Sequence, residues 1–105
     1  MPQFHTVTEE ADNYIWSLIV ARAGVEFKTA RGLPFTYRIK RNKDGAELGE
    51  MVIDRKNGRT ITRSTVLLAY KRAVELGTVS GPKKLGVFGA SYLYPIFLEI
   101  GVCRK

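Results

Sequence analysis

The residues in this chain best equipped for chemistry are its cations. Between Lys28 and Arg72 stand twelve of the seventeen Lys and Arg residues and only four acids (Asp44, Glu47, Glu50 and Asp54), a local charge of +8 in a chain of formal charge +7. Residues 1–27 hold one base and four acids, and residues 73–105 hold four bases and two acids. The basicity therefore belongs to the middle of the chain. Clustered cations gain most where they displace condensed counterions, so a polyanion such as a phosphate backbone is the partner this charge suits. Two stretches are densest: Arg38, Lys40, Arg41 and Lys43, then Arg55, Lys56 and Arg59. Each adjoins a turn signal, and a hairpin end carrying bases reaches a phosphate backbone. The plainer reading is a solubilising edge, because Lys discourages strands from pairing edge to edge.

A second constellation lies in residues 61–73, Ile-Thr-Arg-Ser-Thr-Val-Leu-Leu-Ala-Tyr-Lys-Arg-Ala. Short polar and basic residues open a helix here, where free N–H groups and the positive helix end favour phosphate. The phrase resembles the recognition helix of helix-turn-helix DNA-binding proteins. The resemblance implies that Arg63, Ser64, Thr65, Leu68 and Arg72 face a groove. It is local, and a hairpin rather than a helix and tight turn precedes the phrase. An ordinary capped surface helix is the simpler alternative.

Three further patterns bear on catalysis or anion binding. Gly81-Pro82-Lys83-Lys84 leads through Gly86 and Gly89 to Ser91, and glycines with lysines before a helix make an anion nest. This is not a Walker A loop, since Val87 and Phe88 stand where Lys and Ser or Thr are required. Nor is residues 89–93 a nucleophile elbow, because Leu93 replaces the last glycine. A tight connection with Ser91 as helix cap is the favoured reading, with phosphate contact from Lys83, Lys84 and Ser91 as the alternative. Asp54-Arg55-Lys56 is an Asp-x-Lys at a strand end. It resembles the metal-dependent PD-(D/E)xK nucleases, and the resemblance implies that Asp54 holds a divalent metal while Lys56 assists an activated water. The first acid of that family has no convincing match here. Cys103 is the only cysteine and His5 the only histidine; they stand at opposite ends of the sequence, and a reduced, inert thiol in a cytosolic protein is the expectation. No metal or cofactor is called for.

These residues need elements to hold them. At 105 residues and 45% apolar content, the chain suits one domain, residues 1–105, with a real core. A first helix starts near Thr6 or Thr8, buries Ala11, Tyr14, Ile15, Leu18 and Ile19, and stops at Gly24. Residues 25–29 read as a strand and residues 30–34 as a turn. Phe35, Tyr37 and Ile39 alternate with Thr36, Arg38 and Lys40, which predicts a half-buried strand with a cationic outer face. The turn at Asn42–Gly45 leads to a strand over Glu47–Asp54, with Gly49 as a weak point or bulge. A second turn follows at Lys56-Asn57-Gly58. A second helix runs from Thr62 or Arg63 to Leu76, capped by Thr62 and stopped by Gly77, with Val66, Leu67, Ala69, Tyr70, Ala73, Val74 and Leu76 on its inner face. A final helix begins after Ser91 and places Pro95 in its first turn. The apolar stretch from Leu85 to Val102 reads as buried core, not as a membrane span. The N-terminus lacks the basic and apolar regions of a secretory signal.

The resulting fold class is α+β, in the order α-β-β-β-α-α, with a three-stranded antiparallel sheet packed on helices. The functional expectation is a cytoplasmic nucleic-acid-binding protein without catalysis of its own, with DNA favoured over RNA and no membrane partner. Its contact set is Arg38, Lys40, Arg41, Lys43, Arg55, Lys56, Arg59, Arg63, Ser64, Thr65, Arg72, Lys83 and Lys84. The rivals are an interaction module or homodimer whose basic face meets an acidic partner, and the metal-dependent nuclease.

Overall fold

The computed structural model describes residues 2–55 and 59–105, with side chains from residue 10 onward. Helix α1 covers Pro2–Ala21. It starts earlier than the threonines suggested, at a residue type tolerated in the first turn, where a missing N–H has no partner to lose. Strands β1 (Phe27–Lys28), β2 (Pro34–Arg41), β3 (Glu47–Asp54) and β4 (Thr60–Thr62) follow, then helix α2 (Arg63–Leu76), a 3-10 turn at Pro82–Leu85, and helix α3 (Ala90–Glu99). The protein is α+β, and its sheet has four strands in the antiparallel order β1-β2-β3-β4, one more than expected.

The extra strand is β4. Three residues with a single apolar side chain, Ile61, carry no readable alternation. Pairing supplies what the pattern lacks: Thr60, Ile61 and Thr62 lie opposite Val52, Met51 and Glu50. Thr62 then does double service. It ends the strand, and its Oγ1 accepts the Thr65 N–H at 3.3 Å to cap α2.

The helices and the inner face of the sheet enclose one core. Phe27, Phe35, Tyr37, Ile39, Met51, Ile53 and Ile61 come from the strands; Ile15, Trp16 and Ile19 from α1; Val66, Ala69 and Ala73 from α2; Leu93, Tyr94, Ile96 and Phe97 from α3. Removing this much apolar surface from water drives the fold. Trp16 replaces Tyr14 in the α1 stripe: Tyr14 is 63% exposed, while the Trp16 ring is buried and its Nε1 donates to Glu47 Oε1 at 3.1 Å. On α2 the inner face is narrower than expected, and Val74 and Leu76 are exposed.

Two buried tyrosines tie layers together. Tyr37 donates its hydroxyl proton to the Ile19 carbonyl, joining β2 to α1. Tyr94 donates to the Val79 carbonyl at 2.7 Å. Burial pushes the pKa of both phenols up, because it penalises the phenolate; the Arg22 charge opposes this at Tyr37, and Cys103 adds to it at Tyr94. Burial alone pushes the Cys103 thiol up.

Helix α3 begins two residues earlier than expected. Gly89, not Ser91, is the N-cap, at φ +80°. A Cβ on Gly89 would stand 2.5 Å from Ile61 Cδ1. Only glycine accepts both that close approach and that φ. Pro95 consequently lies inside the helix rather than in its first turn. Gly49 is the irregular point on β3, at φ +70°, and the β2–β3 register shifts between Ile39 and Arg41. No helix among the described residues is long and apolar enough to cross a membrane.

Candidate functional site

The meander decides which bases meet. Successive turns of an antiparallel meander alternate between the two ends of the sheet. The β1–β2 turn and the β3–β4 connection share one end, and the β2–β3 turn lies at the other. The eight residues of β2 separate the ends by about 27 Å. The basic tract is thereby split into groups that do not touch.

At the β2–β3 end the bases are largely answered. Lys40 Nζ lies 3.7 Å from Glu50 Oε1, and Arg41 Nη1 lies 3.8 Å from Glu47 Oε2. Arg41 also donates to the Gly45 carbonyl at 3.0 Å. Asn42 Oδ1 accepts from the N–H groups of Asp44 and Ala46, which folds this turn and leaves Lys43 exposed within it. Arg38 is exposed on the outer face of β2. That face is less cationic than β2 alone predicts, because Glu50 and Asp54 project from β3 on the same side, beside Arg38 and Lys40.

At the other end the bases converge. A cleft of about 820 Å³ is lined by Thr29, Ala30, Arg31 and Leu33 of the β1–β2 turn, Arg55 and Arg59 flanking the β3–β4 connection, Pro82 and Lys83 of the 3-10 turn, and residues 86, 87 and 90–92 leading into α3. Among the described residues four cations and no carboxylate line it. Among the described residues none of the four is in an ion pair. Each arginine is nevertheless placed. Arg31 sits beside Gly32, whose φ of +83° lets the tight turn close, and Thr29 Oγ1 accepts the Leu33 N–H at 3.2 Å. Arg55 donates from Nη1 to the Pro34 carbonyl at 2.8 Å. The Arg59 guanidinium lies 5.1 Å from the centre of the Phe88 ring, in cation–π range. Ser91 lines the cleft from the first turn of α3, a helix end with no side-chain cap. Such an end adds a positive dipole to the site. Tyr92 completes the wall, its ring held edge-to-face against Phe35 at 5.1 Å.

A second hollow of about 420 Å³ adjoins the first. Leu68, Lys71, Arg72 and Glu75 of α2 and Leu85 line it, and Gly86 and Val87 belong to both hollows. Arg72 Nε reaches the Lys84 carbonyl at 3.4 Å, which ties α2 to the 3-10 turn and leaves the Lys84 side chain exposed.

The start of α2 is arranged differently. Arg63 is half-buried and donates from Nη2 to Asn13 Oδ1 of α1 at 2.5 Å, while its Nε is buried without a partner among the described residues. Ser64 is exposed and Thr65 half-buried. None of the three lines either hollow. Lys56 lies outside the described residues, as does the expected turn through Asn57 and Gly58. Asp54 is exposed, accepts from Thr36 Oγ1 at 3.4 Å and does not line the cleft. No three His, Cys, Asp or Glu side chains converge among the described residues.

Of the expected contact set, the fold thus gathers Arg55, Arg59 and Lys83 in one cleft and Arg72 beside it. Arg38, Lys40, Arg41, Lys43, Arg63, Ser64 and Thr65 lie elsewhere. Sequence reasoning passed over Arg31 and Lys71. The signal for Arg31 was present: a base directly before the glycine of a tight turn is held out from the sheet end. No protein-family model, curated protein or solved structure matches the chain.

Proposed function

We propose that this protein binds nucleic acid through the phosphate backbone, without catalysis of its own, using the cationic cleft as its main contact surface. The observation that carries the reading is the convergence of Arg31, Arg55, Arg59 and Lys83 on one concavity with no carboxylate in its lining among the described residues. Like charges gathered around one concavity repel, a cost that an anionic partner relieves. A solubilising surface has no need to collect its bases in a hollow. The volume lies within the range of ligand sites, and low-dielectric walls focus the field of the four charges outward.

Fluorescence anisotropy of labelled DNA across about 50–200 mM salt tests the reading, because counterion release makes affinity fall steeply over that range. Saturable binding with a steep salt slope is expected. Absence of binding at the lowest salt by folded, monodisperse protein overturns it.

A further inference from the structure

We infer that the occupant of the cleft is a single strand of nucleic acid, with its phosphates on the arginines and an unpaired base against the aromatic and apolar wall. The inference rests on the nucleic-acid reading above and adds the class of ligand. Three observations point the same way.

The first is the mixed character of the lining. Leu33, Pro82, Val87, Ala90 and Tyr92 share the cleft with the four cations. A duplex presents phosphates and keeps its base faces stacked inside, so it has nothing to place against an apolar wall. A single strand offers both surfaces, and charged grooves with aromatic platforms bind single strands with little regard to sequence.

The second is Phe88. It is 55% exposed and does not itself line the cleft, but it stands in sequence between Val87 and Ala90, which do. Its ring lies against the guanidinium of Arg59, a lining residue of the cleft. The pair makes a ready platform: a base stacks on the aromatic or guanidinium plane while the remaining N–H groups of Arg59 bond a phosphate.

The third is continuity. The cleft and the second hollow share Gly86 and Val87, which places Lys71 and Arg72 of the second hollow within reach of a strand that extends beyond the first. Gly86, common to both, is at φ +66°, and a Cβ there would meet nothing within 4 Å, so no side chain stands at that shared point. A flexible chain follows such a bent path. The helix that would otherwise enter a duplex groove has its first arginine engaged with Asn13.

The test compares an oligothymidylate of about 12 nucleotides, within the site sizes of such grooves, with a blunt hairpin duplex of equal charge. Anisotropy is read for the unaltered protein, Phe88→Ala and Arg59→Lys, each shown folded by circular dichroism. Phe88 is exposed, so its removal leaves the core intact. The expected result is tighter binding of the single strand, by about tenfold. Phe88→Ala weakens single-strand binding by about fivefold or more, the loss of one stacked base, and leaves duplex binding unchanged. Arg59→Lys keeps the charge and most duplex affinity but loses single-strand affinity with the planar stack. Two results overturn the inference while leaving phosphate binding in place: duplex bound as tightly as single strand, or single-strand affinity indifferent to Phe88→Ala. If neither nucleic acid binds at low salt, the inference falls together with the reading beneath it.

Discussion

Replacing Arg55 and Arg59 together with alanine separates a cleft from a merely basic surface. Four cations line the cleft. If each neutralises one phosphate of a single strand, log affinity falls with log salt at a slope of about −2.8, from about 0.7 per contact. Engagement of Lys71 and Arg72 in the adjoining hollow raises the count to six, and the slope to about −4.2. The double variant removes two contacts, so the slope shrinks by about 1.4 in either case. With the cleft alone, raising salt from 50 to 200 mM weakens the unaltered protein about 50-fold and the variant only about sevenfold. The control is Arg38→Ala with Lys43→Ala. It removes the same charge from exposed positions outside the cleft, on the outer face of β2 and in the β2–β3 turn. Its slope should match that of the unaltered protein to within about 0.3, the residue of long-range field. The assay is anisotropy at five or so salt concentrations for all three proteins. Equal loss of slope in the two double variants would refute the reasoning, for binding would then follow net charge and not the geometry of the cleft.

Other outcomes follow from the packing. Gly89→Ala should lower stability by about 2 kcal/mol or more in urea unfolding, because the new Cβ meets Ile61 and the backbone sits at positive φ; an unchanged midpoint would mean that the α3–β4 approach is looser than described. Tyr37→Phe should cost about 0.5–1.5 kcal/mol by removing the bond from its hydroxyl to the Ile19 carbonyl, which keeps only the longer bond from the Arg22 N–H. Arg63→Ala should cost about 1 kcal/mol of stability through loss of the Asn13 bond and leave the salt slope of binding unchanged; a shallower slope would place α2's first turn on the nucleic acid. Stability should be level to about pH 8.5 and then fall. Cys103, Tyr37 and Tyr94 keep their protons in the fold at pH values where the unfolded chain has released them, so folding takes up protons and loses up to about 1.4 kcal/mol per pH unit per group. A midpoint rising above pH 9 would contradict that sign.

Elements with a strong local signal were legible in the sequence. The alternation of Phe35, Tyr37 and Ile39 marks β2 and its buried face, and Thr62 and Gly77 bound α2 as cap and stop. What escaped depended on partners distant in sequence. β4 exists because β3 offers Met51 to Ile61, a reason invisible in three residues. The start of α3 is set by Ile61 filling the space above Gly89, so Ser91, the better cap by chemistry, is passed over. Tyr14 and Trp16 both fit a helical stripe, and it is the tertiary core, with Glu47 of β3 accepting the indole N–H, that takes Trp16 inward. The cleft belongs to this second kind. Arg31, Arg55, Arg59 and Lys83 come from three separate connections, and nothing in their spacing reveals that the sheet order brings those connections to one end.

The same topology explains why a tract of charge +8 becomes a local site. Its four acids all lie on β3 or in the turn that leads into it. Because β2 and β3 are antiparallel neighbours, Glu47 and Glu50 are delivered to the bases on the second half of β2, where they pair with Arg41 and Lys40. Asp54 reaches the cleft end of β3, but strand alternation sends its side chain to the outer face, where Thr36 bonds it. Each acid is thus spent away from the hollow, and the cations of the connections are left unanswered. Moving an acid into the lining tests this division directly. Ser91→Asp would set a carboxylate at the uncapped N-terminus of α3, a place that favours it by about 0.3–1 kcal/mol, so the variant should be at least as stable as the parent. Its nucleic-acid affinity should nevertheless drop by about tenfold at low salt, since a new anion takes one phosphate's place among the four cations. A stable variant that binds as tightly as the parent would show that the strand does not enter the cleft.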